Sequence, residues 1–338
     1  MPLIEFSNCG FYCREGDFYI DPWRPVERAL ITHAHSDHAR WGSKYYLCHH
    51  DTKPLLQQRL GNNQYESIGW NAPVYINGVR ITLHPAGHII GSAQIRVESG
   101  GEVWVISGDY KIENDGLSGA FEPVQCHTFV TESTFGLPIY HWKPQAQIFS
   151  DIQSWISKNQ AEGKSSILIA YSLGKAQRLL PCIAEVTDNI LVHGAIYNIH
   201  EALINAGWNL PTVQKVSSET PKSLLKGSVV IAPSSAEGSP WMKKFAPYEI
   251  GICSGWMQVR GAFRRKNADA GFSLSDHADW KGLLEAVKGT GAERVYATHG
   301  FQFAFSRYLR EQGFEAGEVR TEFGNEETTT PDHTASPP

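Results

Sequence analysis

The chain has no apolar stretch long enough to span a bilayer, no internal repeat, and only three methionines and six cysteines in 338 residues. The first absence excludes a helical membrane protein and the second a solenoid or propeller. The cysteines (Cys9, Cys13, Cys48, Cys126, Cys182 and Cys253) make no Cys-x-x-Cys pair. They are expected to be reduced, half-buried fillers of a cytoplasmic protein. Met1-Pro2-Leu3-Ile4-Glu5 lacks the basic and then apolar build of a secretory signal. A strong positive balance is missing too. The net charge of −5 argues against a surface wrapped broadly around nucleic acid, although bound cations would add positive charge locally.

What is present is the material of a globular enzyme. The chain is 41% hydrophobic, 19% charged and 11% aromatic, enough for a sizeable core, and its length exceeds one ordinary domain. Directly after the apolar run Ala29-Leu30-Ile31, the segment Thr32-His33-Ala34-His35-Ser36-Asp37-His38 places three imidazoles and a carboxylate within six consecutive residues. Strand alternation puts His33 and His35 on one side, and the turn that follows can carry Asp37 and His38 to a second point. Imidazole nitrogen and carboxylate oxygen suit zinc, manganese or iron, and two ligand sets so close together suggest two metals.

Further ligand types recur after strand-like runs. Asp21 follows Phe18-Tyr19-Ile20, and His88 lies in Ala86-Gly87-His88-Ile89-Ile90-Gly91-Ser92. Asp109 follows Val103–Ser107, and His299 follows Val295–Thr298. Strand ends along one sheet edge converge on one cleft, so the repetition itself is informative. Asn77-Gly78 and Gly100-Gly101 read as hairpin turns between the early strands. From about Gln145 the texture changes to strands alternating with helices, which predicts a parallel sheet covered by helices. Helices are expected over Ile148–Asn159, after Gly174, over Ile199–Ala206, near Trp280–Val287 and over Phe301–Gln312. Residues 325–338 have almost nothing to bury and are expected to be disordered.

The strand followed by His-x-His-x-Asp-His, with His88, Asp109 and His299, resembles the metallo-β-lactamase fold, an αββα sandwich with a dinuclear metal site. Glu132 in Val130-Thr131-Glu132-Ser133-Thr134, His277 in Ser275-Asp276-His277-Ala278-Asp279, and His299 resemble the three extra motifs of its β-CASP nuclease branch. Tyr171-Ser172-Leu173-Gly174-Lys175-Ala176-Gln177 is similar to a segment of the inserted β-CASP lobe. Within the branch, Gly16–Val26, Ser254-Gly255-Trp256-Met257, Arg260-Gly261-Ala262 and Ser275–Trp280 resemble bacterial ligase-associated DNA exonucleases. The implied fold is α/β: a discontinuous metallo-β-lactamase domain (1–136 and 266–324) with an inserted α/β β-CASP domain (137–265).

The resemblance also implies roles. One divalent ion (zinc or manganese) takes His33, His35 and His88, and the other takes Asp37, His38 and His299, with Asp109 bridging. Asp37 then counts among the catalytic groups, and a metal-activated hydroxide attacks the phosphodiester. His277 is the candidate general acid, with Glu132 holding its other ring nitrogen. Asp21, Asp276 and Asp279 are expected to orient these groups without binding metal. Ser234 and Ser235, after the run Val229–Ala232, offer a place for phosphate, as do Arg260, Arg264 and Arg265 in a compact basic run. The implied activity is DNA exonuclease in repair, alongside an ATP-dependent DNA ligase and a helicase, with no membrane partner. An RNA-processing nuclease is the alternative, because histidine at position 299 is more usual in RNA-cleaving members. A catalytically silent scaffold would have broken ligand sets, and a small-molecule hydrolase would need no inserted lobe. Neither fits these residues.

Overall fold

The computed structural model describes residues 2–259 and 268–319. Short runs rich in β-branched and aromatic residues, broken by glycine turns, build two sheets in the first part of the chain. The first sheet holds β1 (Glu5–Ser7), β2 (Gly10–Cys13), β3 (Phe18–Ile20), β4 (Arg28–Leu30), β5 (Tyr45–His49) and β6 (Gln64–Ile68) in that spatial order. Helix α1 (Thr52–Leu60) connects β5 to β6. The second sheet begins with β7 (Val74–Ile76), β8 (Val79–Pro85), β9 (Ala93–Ser99), β10 (Glu102–Ile106) and β11 (Thr128–Glu132). Asn77-Gly78 and Gly100-Gly101 turn the chain between β7 and β8 and between β9 and β10.

The chain then builds a separate sheet before returning. Its strands are β12 (Ser165–Ile169), β13 (Ile190–Val192), β14 (Gln214–Lys215), β15 (Val229–Ala232), β16 (Tyr248–Cys253) and β17 (Ala270–Phe272). They pair in the order β14-β13-β15-β12-β16-β17 and every pairing is parallel, as strands alternating with helices require. Helices α2 (Gln145–Ala161), α3 (Lys175–Ala184) and α4 (Gly194–Asn205) cover one face, through residues such as Ile152, Leu179 and Ile196. The other face is closed by the short helix α5 (Lys222–Leu225) and by Met242 and Phe245. Finally α6 (Trp280–Gly289), β18 (Arg294–Thr298), α7 (Gln302–Glu311) and β19 (Glu315–Glu318) follow, and β18 and β19 extend the second sheet in parallel beyond β11.

Two compact units result: Met1–His141 together with the chain from His277, and Trp142–Asp276. The expected insert, 137–265, is offset from the second of these ranges at both ends, because 137–141 fall in the first unit. The unit runs on to Asp276 because Ala270–Phe272 pairs with β16. Within the first unit the layers run helix, sheet, sheet, helix. Phe11, Ile20, Leu30 and Leu47 of the first sheet meet Ile81, Ile95, Trp104, Ile106 and Val130 of the second. Strand alternation turns Val105, Phe129, Val295 and Ala297 the opposite way, against Leu283 and Val287 of α6 and Phe305 and Leu309 of α7. Among the described residues no helix is long and apolar enough to cross a membrane. Residues 325–338, expected to be disordered, lie outside the described residues.

Candidate metal centre

Parallel pairing of β3 with β4, and of β11 with both β10 and β18, brings the C-terminal ends of these strands to matching sheet edges. The ligand-type residues sit there. Asp21 follows β3, and the His33–His38 turn follows β4. His88 follows β8, Asp109 follows β10, Glu132 ends β11, and His299 follows β18. All belong to the first unit.

The Asp109 carboxylate is the meeting point. Its Oδ2 lies 3.6 Å from Nε2 of His33, 3.5 Å from Nε2 of His38 and 3.8 Å from Nε2 of His88. His88 Nε2 and His35 Nδ1 are 3.1 Å apart. Asp37 Oδ2 lies 3.4 Å from His38 Nε2 and 3.9 Å from His299 Nε2. Among the described residues three groups that could hold a cation have their donor atoms within 4.8 Å of one another: His33/His35/His88/Asp109, Asp37/His38/His299 and Asp109/Glu132/His277.

Neighbouring groups fix the rings. Asp21 accepts from the Thr32 amide at 2.8 Å and from the Thr32 hydroxyl at 2.6 Å, and it holds His38 Nδ1 at 2.7 Å. The Thr32 hydroxyl spends its proton on Asp21, so at 3.1 Å it accepts from His33 Nδ1–H. Nε2 of His33 is thus left as a lone pair facing Asp109. Thr298 Oγ1 plays the same part for His299 Nδ1 at 3.0 Å. His299 itself has a left-handed backbone (φ 52°), held by the Ser133 hydroxyl donating to its carbonyl. Gly300 has to be glycine: a Cβ there would sit 2.2 Å from the Ser133 carbonyl oxygen.

The electrostatics follow from burial of three carboxylates among imidazoles. Burial drives His33 well below the ordinary imidazole value, and His38 and His35 add to the effect. His299 is lowered too, by burial first and then by His38. Burial also works against charge on His38, but Asp37, Asp109 and Asp21 outweigh it and raise this ring well above its usual value. Asp109 in turn falls well below the carboxylate range despite its burial, chiefly because of His38. The buried carboxylates thus call for positive charge. A divalent cation meets that demand where otherwise a proton on His38 must.

The donor set fits such ions. His33 Nε2, His38 Nε2 and Asp109 Oδ1 are buried with no hydrogen-bond partner, three ligand-type atoms in a setting where the great majority of buried polar groups are paired. Neutral imidazole and carboxylate together suit zinc and manganese alike.

Beside the cluster, Glu132 is 1% exposed and grips His277 Nδ1 with both oxygens, at 3.1 and 2.9 Å. Its Oε1 also accepts from the Tyr110 amide at 2.8 Å, which fixes the carboxylate. The His277 and His88 ring centroids are 4.5 Å apart, so the dyad borders the candidate ligand cluster. With Nδ1–H committed to Glu132, Nε2 becomes the atom that can exchange a proton.

The remaining expected residues lie as follows. Asp279 caps α6, accepting from the Gly282 amide at 2.8 Å. Asp276 pairs in the second unit with Arg178 at 2.9 Å and Lys175 at 3.6 Å. Ser234 and Ser235 are exposed on a 3-10 turn of the second unit. Arg260, Arg264 and Arg265 lie outside the described residues. Thr32 and Thr298 were not foreseen. The available signal was a threonine at a strand end directly before each of His33 and His299.

No family model matches the chain. Over 317 residues it is 31% identical to a protein named Probable DNA ligase from Opitutus terrae, which covers 93% of this chain and 30% of that protein. Over 125 residues it is 29% identical to Endoribonuclease YSH1 of Yarrowia lipolytica, covering 36% of this chain and 15% of that protein. The chain thus spans less than a third of either relative's length. Among solved structures, a protein of unknown function from Enterococcus faecalis V583 matches with a TM-score of 0.59 at 10% identity, over 87% of this chain and 79% of that one. That likeness is one of fold alone. The endoribonuclease relatives support kinship of this chain with the β-CASP nuclease branch of the metallo-β-lactamase fold.

Proposed function

We propose that this chain is a metal-dependent nuclease that hydrolyses phosphodiester bonds in the centre around Asp109. The observation that carries the reading is the convergence of His33, His38 and His88 Nε2 within 3.8 Å of one buried carboxylate oxygen. In this reading His33, His35 and His88 would hold one cation, Asp37, His38 and His299 would hold another, and Asp109 would serve both. When bound, a pair of divalent cations supplies Lewis acidity that acidifies a water and offsets charge on the phosphodiester. The chain's own residues do the rest. Asp21, Thr32 and Thr298 keep the imidazole tautomers that present Nε2 inward. Glu132 holds His277 so that its Nε2 delivers a proton to the departing sugar oxygen. Burial of the cluster limits competing water and strengthens each of these contacts.

The substrate we assign is DNA, digested from an end, in repair alongside a DNA ligase and a helicase. The alignment of 93% of the chain with part of a protein named DNA ligase supports this. The competing reading is an RNA-processing nuclease, and the endoribonuclease relatives support it to the same degree. The two are separated by incubating end-labelled DNA and RNA strands of matched sequence with the purified chain and zinc or manganese. Stepwise shortening of DNA alone is expected. Cleavage restricted to RNA contradicts the DNA assignment, and cleavage of neither strand contradicts the nuclease.

A further inference from the structure

The two halves of the centre have different supports. In one half, His38 and His299 are oriented by Asp21, Thr298 and Ser133, all near the strand ends that carry these residues. The half built from His33, His35 and His88 is touched by α1, a helix that contributes no ligand. We infer that α1 is a clamp that fixes the spacing of the His33/His35 turn and the His88 loop, with Thr52 and Arg59 as its positioning residues. The inference rests on the reading of this cluster as a cation centre.

Thr52, Leu55, Leu56 and Arg59 stand at i, i+3, i+4 and i+7, so they share one helix face. The two leucines are fully buried. The two polar members reach the ligand loops. Thr52 is fully buried, and its hydroxyl donates to the Gly91 carbonyl at 2.6 Å, three residues beyond His88. Two turns further along, the Arg59 guanidinium donates to the carbonyl of Ala34, the residue between His33 and His35. The approach at Gly91 is close: a Cβ there would lie 2.5 Å from the Thr52 amide nitrogen, and the backbone is left-handed (φ 77°). The His88 loop is itself a closed ring, in which the Ser92 hydroxyl accepts from the amides of His88 and Ile89 at 3.0 and 3.2 Å. A pull on Gly91 therefore moves His88 with it. The start of the helix is tied down as well. The Asp51 amide donates to His49 Nδ1 at 3.2 Å, and the His49 ring stacks on Trp70 with centroids 3.5 Å apart.

The test is a zinc titration of the chelator-stripped full chain, competed against a chromophoric chelator. Wild type is expected to take up two equivalents. Arg59→Gln and Thr52→Val should each weaken one equivalent by about 10–100-fold and leave the other nearly unchanged. Thr52→Ser, which keeps the hydroxyl, should restore wild-type binding, and Arg59→Lys should restore it in part. Thermal unfolding of the stripped variants checks that they fold. If Arg59→Gln does not, the Thr52→Val and Thr52→Ser pair decides. Equal weakening of both equivalents, or unchanged binding in folded variants, overturns the clamp alone. A wild type that takes up no zinc overturns the cation centre and the clamp with it.

Discussion

Each unit buries a cluster of charged side chains, but the two clusters close differently. In the second unit, Arg178 and Lys175, both 3% exposed, meet Asp276. Arg178 also donates to the Gln145 side chain at 2.6 Å and to the Ser275 carbonyl at 2.5 Å. Donors there find acceptors within the protein. In the first unit, His33 Nε2, His38 Nε2 and Asp109 Oδ1 are buried and have no hydrogen-bond partner. Burial is the same, and satisfaction is not. A closed cluster holds structure, whereas an open one of the right donor types is built to receive something.

The contrast can be broken most forcefully at Asp109. Asp109→Ala should reduce metal content below two equivalents and bring cleavage to background, both read on the same preparation by elemental analysis and by end-labelled strands. Intact metal content in that variant would remove the carboxylate from the centre. Next in size, His277→Ala should keep both cations and lower the cleavage rate by about 10²–10⁴-fold. Lost metal would make His277 a ligand instead of a proton donor. On the closed side, Arg178→Ala removes the nearer of the two cations that meet Asp276, leaving Lys175 at 3.6 Å, and should cost up to about 3–5 kcal/mol of stability, measured by denaturant unfolding. Its zinc content should remain that of wild type. A metal-depleted but fully stable Arg178→Ala protein would invert the comparison.

The smallest effect concerns pH. Burial lowers His84 and His49 each to about 4, while in the unfolded chain both sit near 6.5. The unfolded chain thus binds more protons between these values, so stability falls as pH drops from about 6.5 toward about 4. His84 has a partner in Thr82 Oγ1 at 3.0 Å and lies outside the ligand groups. His84→Gln should make the melting temperature less sensitive to acid between pH 7 and 5, with metal content unchanged. An equally steep acid loss in His84→Gln would show that other groups dominate.

The sequence reveals different parts of this centre to different degrees. His33, His35, Asp37 and His38 are adjacent in the chain, so residue type and spacing alone point to metal. Asp109 and His299 are dispersed, and their recurrence after strand-like runs is what points to one cleft, whereas Glu132 and His277 are grouped by the family resemblance alone. Thr32 and Thr298 escape a reading by residue type because a threonine at a strand end is ordinary β chemistry. Helix α1 was not foreseen for a related reason. Thr-Lys-Pro-Leu-Leu-Gln-Gln-Arg-Leu has a proline at its third position and few apolar residues, and its inward stripe includes Thr52 and Arg59, which read as polar. The parallel sheet of the second unit was plain, because its central strands Ser165–Ile169, Ile190–Val192 and Val229–Ala232 are fully buried runs alternating with helices.

The most direct test of the central claim is a crystal of the chain grown with manganese and measured at a wavelength where the metal scatters anomalously. Two anomalous peaks are expected, one among His33, His35 and His88 and one among Asp37, His38 and His299, both bonded to Asp109. Peaks elsewhere on the surface, or none within reach of the Asp109 carboxylate, would contradict it.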